Sequence, residues 1–524
     1  MIVSGYWPSQ APYKEFPLPD LLRGSAERFA DKPALIGADG TERTYGQLWS
    51  YARRVARLLQ DNGIEKGDKV GIFSPNHVDY AAVFYGSLLA GATVTTLNPL
   101  YRAREIEDQL DDAEAVALFV YSPMAAAVEE ARAHLPRLRH VFPLDNLPEL
   151  LGGVPEELRP VQIDPREDVA VLPYSSGTTG LPKGVMLTHY NIASNVQQGL
   201  AVRQAGPETV TLCVLPFYHI YGMTVLMSTG VALGATGIVM LRFDVEQALH
   251  LIEKYRITNL YLAPPAVLAL ANAPDPGRFD TSSLVLMNSG AAPLPLEVGE
   301  RFKSIYGCAV SQGYGLTETS PTVNTNPLER IKLESCGPPF PDTFEKIVSL
   351  DTNEELPIGE MGELLARGPQ VMKGYWKRPE ETAECLDEEG WLRTGDIARF
   401  DEDGYVYIIE RSKEMIKYKG YQVAPAELEA VLHEHPAVFD AAVIPKPDPT
   451  GGEIPKACIV LREGAVASPE DLMAFVAEKV APYKKIREVE FFEEIPKVPS
   501  GKILRRDLIE RERARQREES GGDV

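Results

Sequence analysis

Residues Tyr174–Gly184 read Tyr-Ser-Ser-Gly-Thr-Thr-Gly-Leu-Pro-Lys-Gly. An apolar run, Val169-Ala170-Val171-Leu172, precedes them. Thr188 then stands as a helix cap before a helical pattern over Asn191–Leu200. The order predicts strand, loop, helix. Glycines let a backbone approach a ligand and aim successive N–H groups at it. Here Gly177, Gly180 and Gly184 do so beside the hydroxyls of Ser175, Ser176, Thr178 and Thr179 and the mobile charge of Lys183. That inventory suits a polyphosphate, although an ordinary surface loop has a similar composition. It is not a Walker loop, which needs a longer spacer between glycines and then Gly-Lys-Ser/Thr. Only Thr178 and Thr179 separate Gly177 from Gly180, and Gly184 follows Lys183.

A chain of 524 residues exceeds one core, so two or more domains are expected. Hydrophobic residues at 44% and charged residues at 24% describe a folded protein. The net charge of −22 argues against nucleic acid as a partner. It is unevenly spread: residues 411–524 hold 19 basic and 21 acidic side chains, leaving −20 for the remainder. A near-neutral C-terminal part closing over an acidic body suits a polyanion held between them. The five cysteines (Cys213, Cys308, Cys336, Cys385, Cys458) are scattered, which points to reduced thiols, a cytosolic setting and no zinc site. The first residues, MIVSGYWPSQ, lack a basic region followed by an apolar core, and the terminal GGDV is not a peroxisomal address.

Residues 1–165 alternate helical and strand patterns, for example a helix over Tyr45–Asn62 and a strand over Lys69–Phe73. Such alternation predicts an α/β fold, a parallel or mixed sheet with helices on both faces. Phe217–Leu241 has no Asp, Glu, Lys or Arg. Without basic flanks or an aromatic belt it reads as a buried helix near Met223–Leu233, stopped by Gly234, and not as a membrane span. Peripheral membrane contact stays open.

Further motifs follow in order. Leu215–Gly222 (LPFYHIYG) surrounds His219 with an aromatic-rich turn. Leu284–Asn288 is an apolar strand ending in Ser289-Gly290-Ala291-Ala292-Pro293, where small residues leave room for a ligand. Gln312-Gly313-Tyr314-Gly315-Leu316-Thr317-Glu318 lacks the third glycine of a dinucleotide fingerprint. It does offer a ring for stacking, a hydroxyl for phosphate and a carboxylate for Mg²⁺. Trp391–Asp396 ends in an aspartate that reads alone as a turn residue. Glu410-Arg411-Ser412-Lys413 marks a boundary, after which Lys417, Lys419 and Gly420 precede a helix, Glu427–His433, opened by Pro425 and Glu427. Near the end, Pro499-Ser500-Gly501-Lys502 puts one lysine on a Pro/Gly-shaped turn.

Taken together and in this order, the motifs resemble those of the adenylate-forming superfamily: acyl-CoA synthetases, 4-coumarate–CoA ligases, peptide-synthetase adenylation domains and luciferases. The resemblance spans about residues 20–510. It implies a large N-terminal domain of mixed sheets flanked by helices (1–410), a hinge (411–413) turning on Lys413, and a small mobile α+β lid (414–524). The implied reaction joins a carboxylic acid to ATP, releases pyrophosphate, and passes the acyl group to coenzyme A. The resemblance places ATP at residues 175–180, Lys183, Gly290–Ala292, Gly313, Tyr314, Gly315 and Thr317. Asp396 falls to ribose, Arg411 to ribose or phosphate, Glu318 to Mg²⁺ and Lys502 to adenylation. His219, Tyr221, Met223, Met287, Ser289 and Gly313 would border the acyl group, and Lys417, Lys419, Gly420 and Gln422 the face used in thioester formation. A medium- or long-chain fatty acid comes first, an arylpropenoic acid second. A luciferase-like oxygenase, a carrier-protein loading module and a non-enzymatic acyl-binding protein are the other readings. The oligomeric state, a homodimer included, is not set by the sequence.

Overall fold

The computed structural model describes residues 2–175, 182–202, 205–411, 414–418, 421–448, 452–480, 482–498 and 502–520. Four sheets organise them. The first centres on Lys69–Phe73, flanked in parallel by Thr93–Leu97 and Ala115–Val120, with Val169–Val171 and His140–Pro143 beyond. The second runs parallel through Pro33–Gly37, Thr236–Val239, Val210–Cys213, Asn259–Leu262, Leu286–Ser289 and Ala309–Gly315, closed by antiparallel edges Glu42–Thr44 and Thr322–Thr325. Helices between successive parallel strands bury their apolar faces on these sheets. Tyr80–Leu89 is buried on almost every side, against the amphipathic Tyr45–Asp61. Thr44 and Gln47 form a capping box that fixes the start of Tyr45–Asp61.

A third sheet is antiparallel: Ile2–Val3, Phe344–Val348, Gly362–Arg367, Leu392–Phe400 and Val406–Arg411. The fourth belongs to the C-terminal part and has its own core around Ile416, Leu428, Val443, Ile459 and Leu472. Its strands are Tyr421–Val423, Ile416–Tyr418, Gly452–Leu461, Val438–Asp448 and Glu488–Phe491. The last helix, Arg505–Ser520, lays Leu508 on Ala442, Ile444 and Cys458. Beneath it the fully buried Lys456 ammonium sits 2.5 Å from both Glu490 and Glu512. The chain thus has a large N-terminal and a smaller C-terminal domain.

Three expectations change in detail. The glycine loop does not run from strand into helix. It links Tyr174–Ser175 to a strand, Lys183–Thr188, that pairs back antiparallel before the helix His189–Val202 starts. Val185 and Leu187 alternate inward along that strand, a period-2 signal that the flanking glycines and lysine obscure. Thr188 and Asn191 exchange cap hydrogen bonds as expected. The uncharged stretch opens as a π-helix, Tyr221–Ser228, continues as Thr229–Leu233, and stops at Gly234 with φ +73°. Among the described residues no helix is long and apolar enough to cross a membrane. The lid helix begins at Pro425, two residues before Glu427.

Candidate active site

A cleft of about 1540 Å³ opens where the two parallel sheets, the third sheet and the C-terminal domain meet. Thr96, Ser175, Tyr218–Tyr221, Gly290 and Gly315–Glu318 line it, each at or beyond the carboxyl end of a strand. That is where open α/β sheets leave room for ligands. Ser176, Gly177, Thr178, Thr179 and Gly180 lie outside the described residues, as do Lys413, Lys419 and Gly420. The ends of the glycine loop, Ser175 and Lys183, are on the cleft wall.

Glu318 faces the base of that loop. Its Oε1 accepts from Ser175 Oγ at 3.2 Å and from the Tyr375 hydroxyl at 2.9 Å. Burial and the Glu318 charge push the Tyr375 phenol up, so it remains a donor. Lys183 Nζ stands 5.1 Å from the centre of the Tyr375 ring. One carboxylate beside Ser175 and Tyr375 suits Mg²⁺, which takes few protein oxygens and completes its shell with phosphate and water. Among the described residues no group of three His, Cys, Asp or Glu forms a closed metal site.

His219 is half-buried on the cleft wall and its imidazole is pushed down to about 4 by desolvation, so it is neutral near pH 7. Its Nδ1 accepts from the Tyr221 N–H at 3.2 Å, an assignment that leaves the ring proton on Nε2. The Tyr221 ring packs on Gly290, where an added Cβ would come within 2.9 Å of Cε1. Its hydroxyl donates to Asn288 Oδ1 at 3.3 Å, and Asn288 Nδ2 donates to Ser311 Oγ at 2.8 Å. A Cβ on Gly313 would sit 3.1 Å from the Asn324 carbonyl, a tight approach to backbone that a glycine avoids.

Three residues expected at the acyl wall stand behind it. Met223 and Met287 are fully buried in the cores on either side, and Ser289 is buried as well. The strand Leu286–Ser289 alternates, so Asn288 and then Gly290 reach the cleft while Met287 and Ser289 point away. Ala291 is on the wall and Ala292 is not. Asp396 is also set back, its carboxylate accepting from the Tyr314 hydroxyl at 2.5 Å, with Thr394 and Gly395 on the wall in front. Strand pairing puts Arg411 directly opposite Asp396. Asn288, Ser311 and Tyr375 went unassigned in the sequence. Tyr375 had a signal, the Gly374-Tyr375-Trp376 stretch before the aspartate motif.

From the C-terminal domain Lys502 lines the cleft, with Nζ 3.9 Å from Glu414 Oε1. Lys417 does not. Its side chain is exposed, its backbone N–H donates to Glu453 at 2.8 Å, and it pairs across the strands with Gln422. One lysine face is turned to the cleft and the other away.

The sequence profile of the AMP-binding enzyme family matches residues 22–376, and that of the AMP-binding enzyme C-terminal domain matches 427–502. The chain belongs to the AMP-binding enzyme family. Within this family it is 42% identical to a 4-coumarate–CoA ligase of Pinus taeda, over 92% of both chains. It is 38% identical to a long-chain-fatty-acid–CoA ligase of Bacillus subtilis, over 97% of both. The anthranilate CoA ligase AuaEII in complex with anthranoyl-AMP shares the fold with a TM-score of 0.89 at 29% identity, covering 94% of this chain and 96% of that one. ATP-bound MatB of Rhodopseudomonas palustris gives 0.87 at 28%, covering 94% and 98%. This family member is an adenylate-forming acyl- or aryl-CoA ligase, an AMP-forming acid–thiol ligase that draws on ATP, Mg²⁺ and CoA.

Proposed function

We propose that the enzyme activates a medium- or long-chain fatty acid as its acyl-adenylate and then forms the CoA thioester. One observation carries the site assignment: Lys183, Glu318 and the C-terminal domain's Lys502 converge on one cleft whose other wall is His219–Tyr221. A carboxylate must approach a polyphosphate, and charge then builds on the departing pyrophosphate. Lys183 and Lys502 offset that charge from two directions. Glu318 would hold Mg²⁺, which when bound would supply further positive charge to the phosphates. Ser175 and Tyr375 hold Glu318 in place, so little reorganisation is needed during reaction. The neutral His219 and the Tyr221 ring border the acid without adding charge. Thioester formation then uses the other lid face, with Lys417, Gln422 and the neighbouring Lys419 and Gly420, after a turn about residues 411–413 that swaps faces of a 414–524 lid. A cytosolic setting suits five cysteines that are free thiols.

A second reading has its own support. The hydrogen-bonded set Tyr221–Asn288–Ser311 gives part of the wall a polar surface, which fits a ring hydroxyl of an arylpropenoic acid better than an alkyl chain. Thioester formation across acids of graded chain length and aromaticity separates the two. Turnover that rises with aliphatic length supports the fatty-acid reading. Hydroxycinnamic acids outrunning every alkanoate would replace it with the second.

A further inference from the structure

We propose that Glu410 is the body's half of a latch that holds the lid in the orientation presenting Lys502 to the cleft. The inference rests on the proposed role of Lys502 in adenylation. Glu410 lies near the end of Val406–Arg411, a strand fixed in the third sheet through its pairing with Ile397. Its side chain is only 6% exposed and reaches into the C-terminal domain. There its Oε2 accepts from the Ala426 N–H at 3.0 Å, in the first turn of helix Pro425–His433. That N–H is one of the donors a helix start cannot satisfy internally, and a carboxylate there also meets the positive end of the helix dipole.

The same carboxylate lies 3.7 Å from Arg505 Nη2. Arg505 is buried among Glu414 at 2.6 Å and Glu429 at 2.7 Å, and its Nε donates to the Val443 carbonyl at 3.3 Å. It lies three positions after Lys502, and Glu414 faces both side chains. The cluster that receives Glu410 therefore also sets the position of the turn bearing Lys502. Glu414 and Glu429 travel with the lid, whereas Glu410 stays with the body. Any lid rotation that brings Lys417 to the cleft carries Ala426 and Arg505 away from Glu410. Its interactions thus favour one of the two orientations and not the other, as a bias on a two-state element requires. Glu410 is a positioning residue in this scheme, since it does not touch the reacting atoms.

The test separates the half-reactions. ATP–pyrophosphate exchange with the best acid of the panel reads adenylation. CoA thioester formed from a supplied acyl-adenylate reads the second step. Glu410→Ala should slow exchange about tenfold, the worth of a charge-assisted hydrogen bond, and leave the second step unchanged or faster. Glu410→Gln keeps an oxygen for the Ala426 N–H without the charge and should fall between. Equal losses in both half-reactions, or no loss in either, would overturn the latch. Lys502→Ala, run alongside, keeps the two ideas apart: exchange at the wild-type rate in that variant removes the underlying role of Lys502, and the latch with it.

Discussion

At the scale of single residues, the metal role proposed for Glu318 rests on a carboxylate held by two donors that converge on one of its oxygens. Glu318→Gln keeps the shape and those hydrogen bonds but loses the charge. Adenylation should fall by about 10²-fold or more, with the Mg²⁺ dependence shifted to higher concentration and the thermal midpoint nearly unchanged. Kinetics over a Mg²⁺ titration check this, and an unaltered curve would remove Glu318 from the site. Residue types were the most legible part of the sequence: Lys183, His219, Thr317, Glu318 and Lys502 all reach the cleft that the motifs suggested. Orientation was not. Whether Met287 or Asn288 faces the cleft depends on the phase of one short strand, and a short apolar run does not carry its phase.

At the scale of elements, the π-helix Tyr221–Ser228 sets where Tyr221 points. The wider i→i+5 winding was invisible in sequence, because an uncharged, mostly apolar stretch has little periodicity to read. Its tightest point is Gly222, where a Cβ would lie 2.1 Å from the Pro216 carbonyl oxygen and 2.8 Å from that of Leu215. Both obstacles are backbone and cannot rotate away. Gly222→Ala should therefore cost on the order of 2–3 kcal/mol by denaturant unfolding and raise the KM for the acid more than that for ATP, since Tyr221 must move. Equal effects on both KM values would detach this helix from the acid site. The strand Lys183–Thr188 illustrates another limit. Its alternation was present in the sequence but short, and glycine and lysine at its start read as loop chemistry.

At the scale of the whole molecule, the alternating patterns gave the sheet class and the motif order gave the family, because long-range order is spread over many residues. The pairing of Ile2–Val3 with Phe344–Val348 had no local signal at all. The division of labour between the two lid lysines belongs here. Lys502→Ala should lose adenylation by about 10²-fold or more yet still convert a supplied acyl-adenylate, and Lys417→Ala should do the reverse. Matching losses in both variants would rule out a two-faced lid. Acid stability is also a property of the whole. His189 is buried, His219 and His433 are half-buried, and each is pushed down to about 4 by desolvation. The unfolded chain takes up these protons near pH 6.5 and the folded chain does not, so stability is full above about 6.5 and drains as pH falls toward 4. Thermal midpoints between pH 7 and 4.5 should drop steadily, and a flat profile would contradict the burial of these rings.

The ion pair beneath the last helix bears on how the chain is made. Lys456 is sealed inside the C-terminal domain, and one of its carboxylate partners, Glu512, arrives 56 residues later. Until that residue has emerged from the ribosome, the ammonium group has only Glu488 and Glu490 as counter-charges, and the side that the last helix covers stays open. The large domain can fold while synthesis continues, as N-terminal units generally do. The C-terminal domain cannot complete itself until the helix Arg505–Ser520 has been made. Lys502, three positions before that helix, is therefore set in place only after the large domain, and a ribosome-bound intermediate that stops short of the helix would consume little ATP.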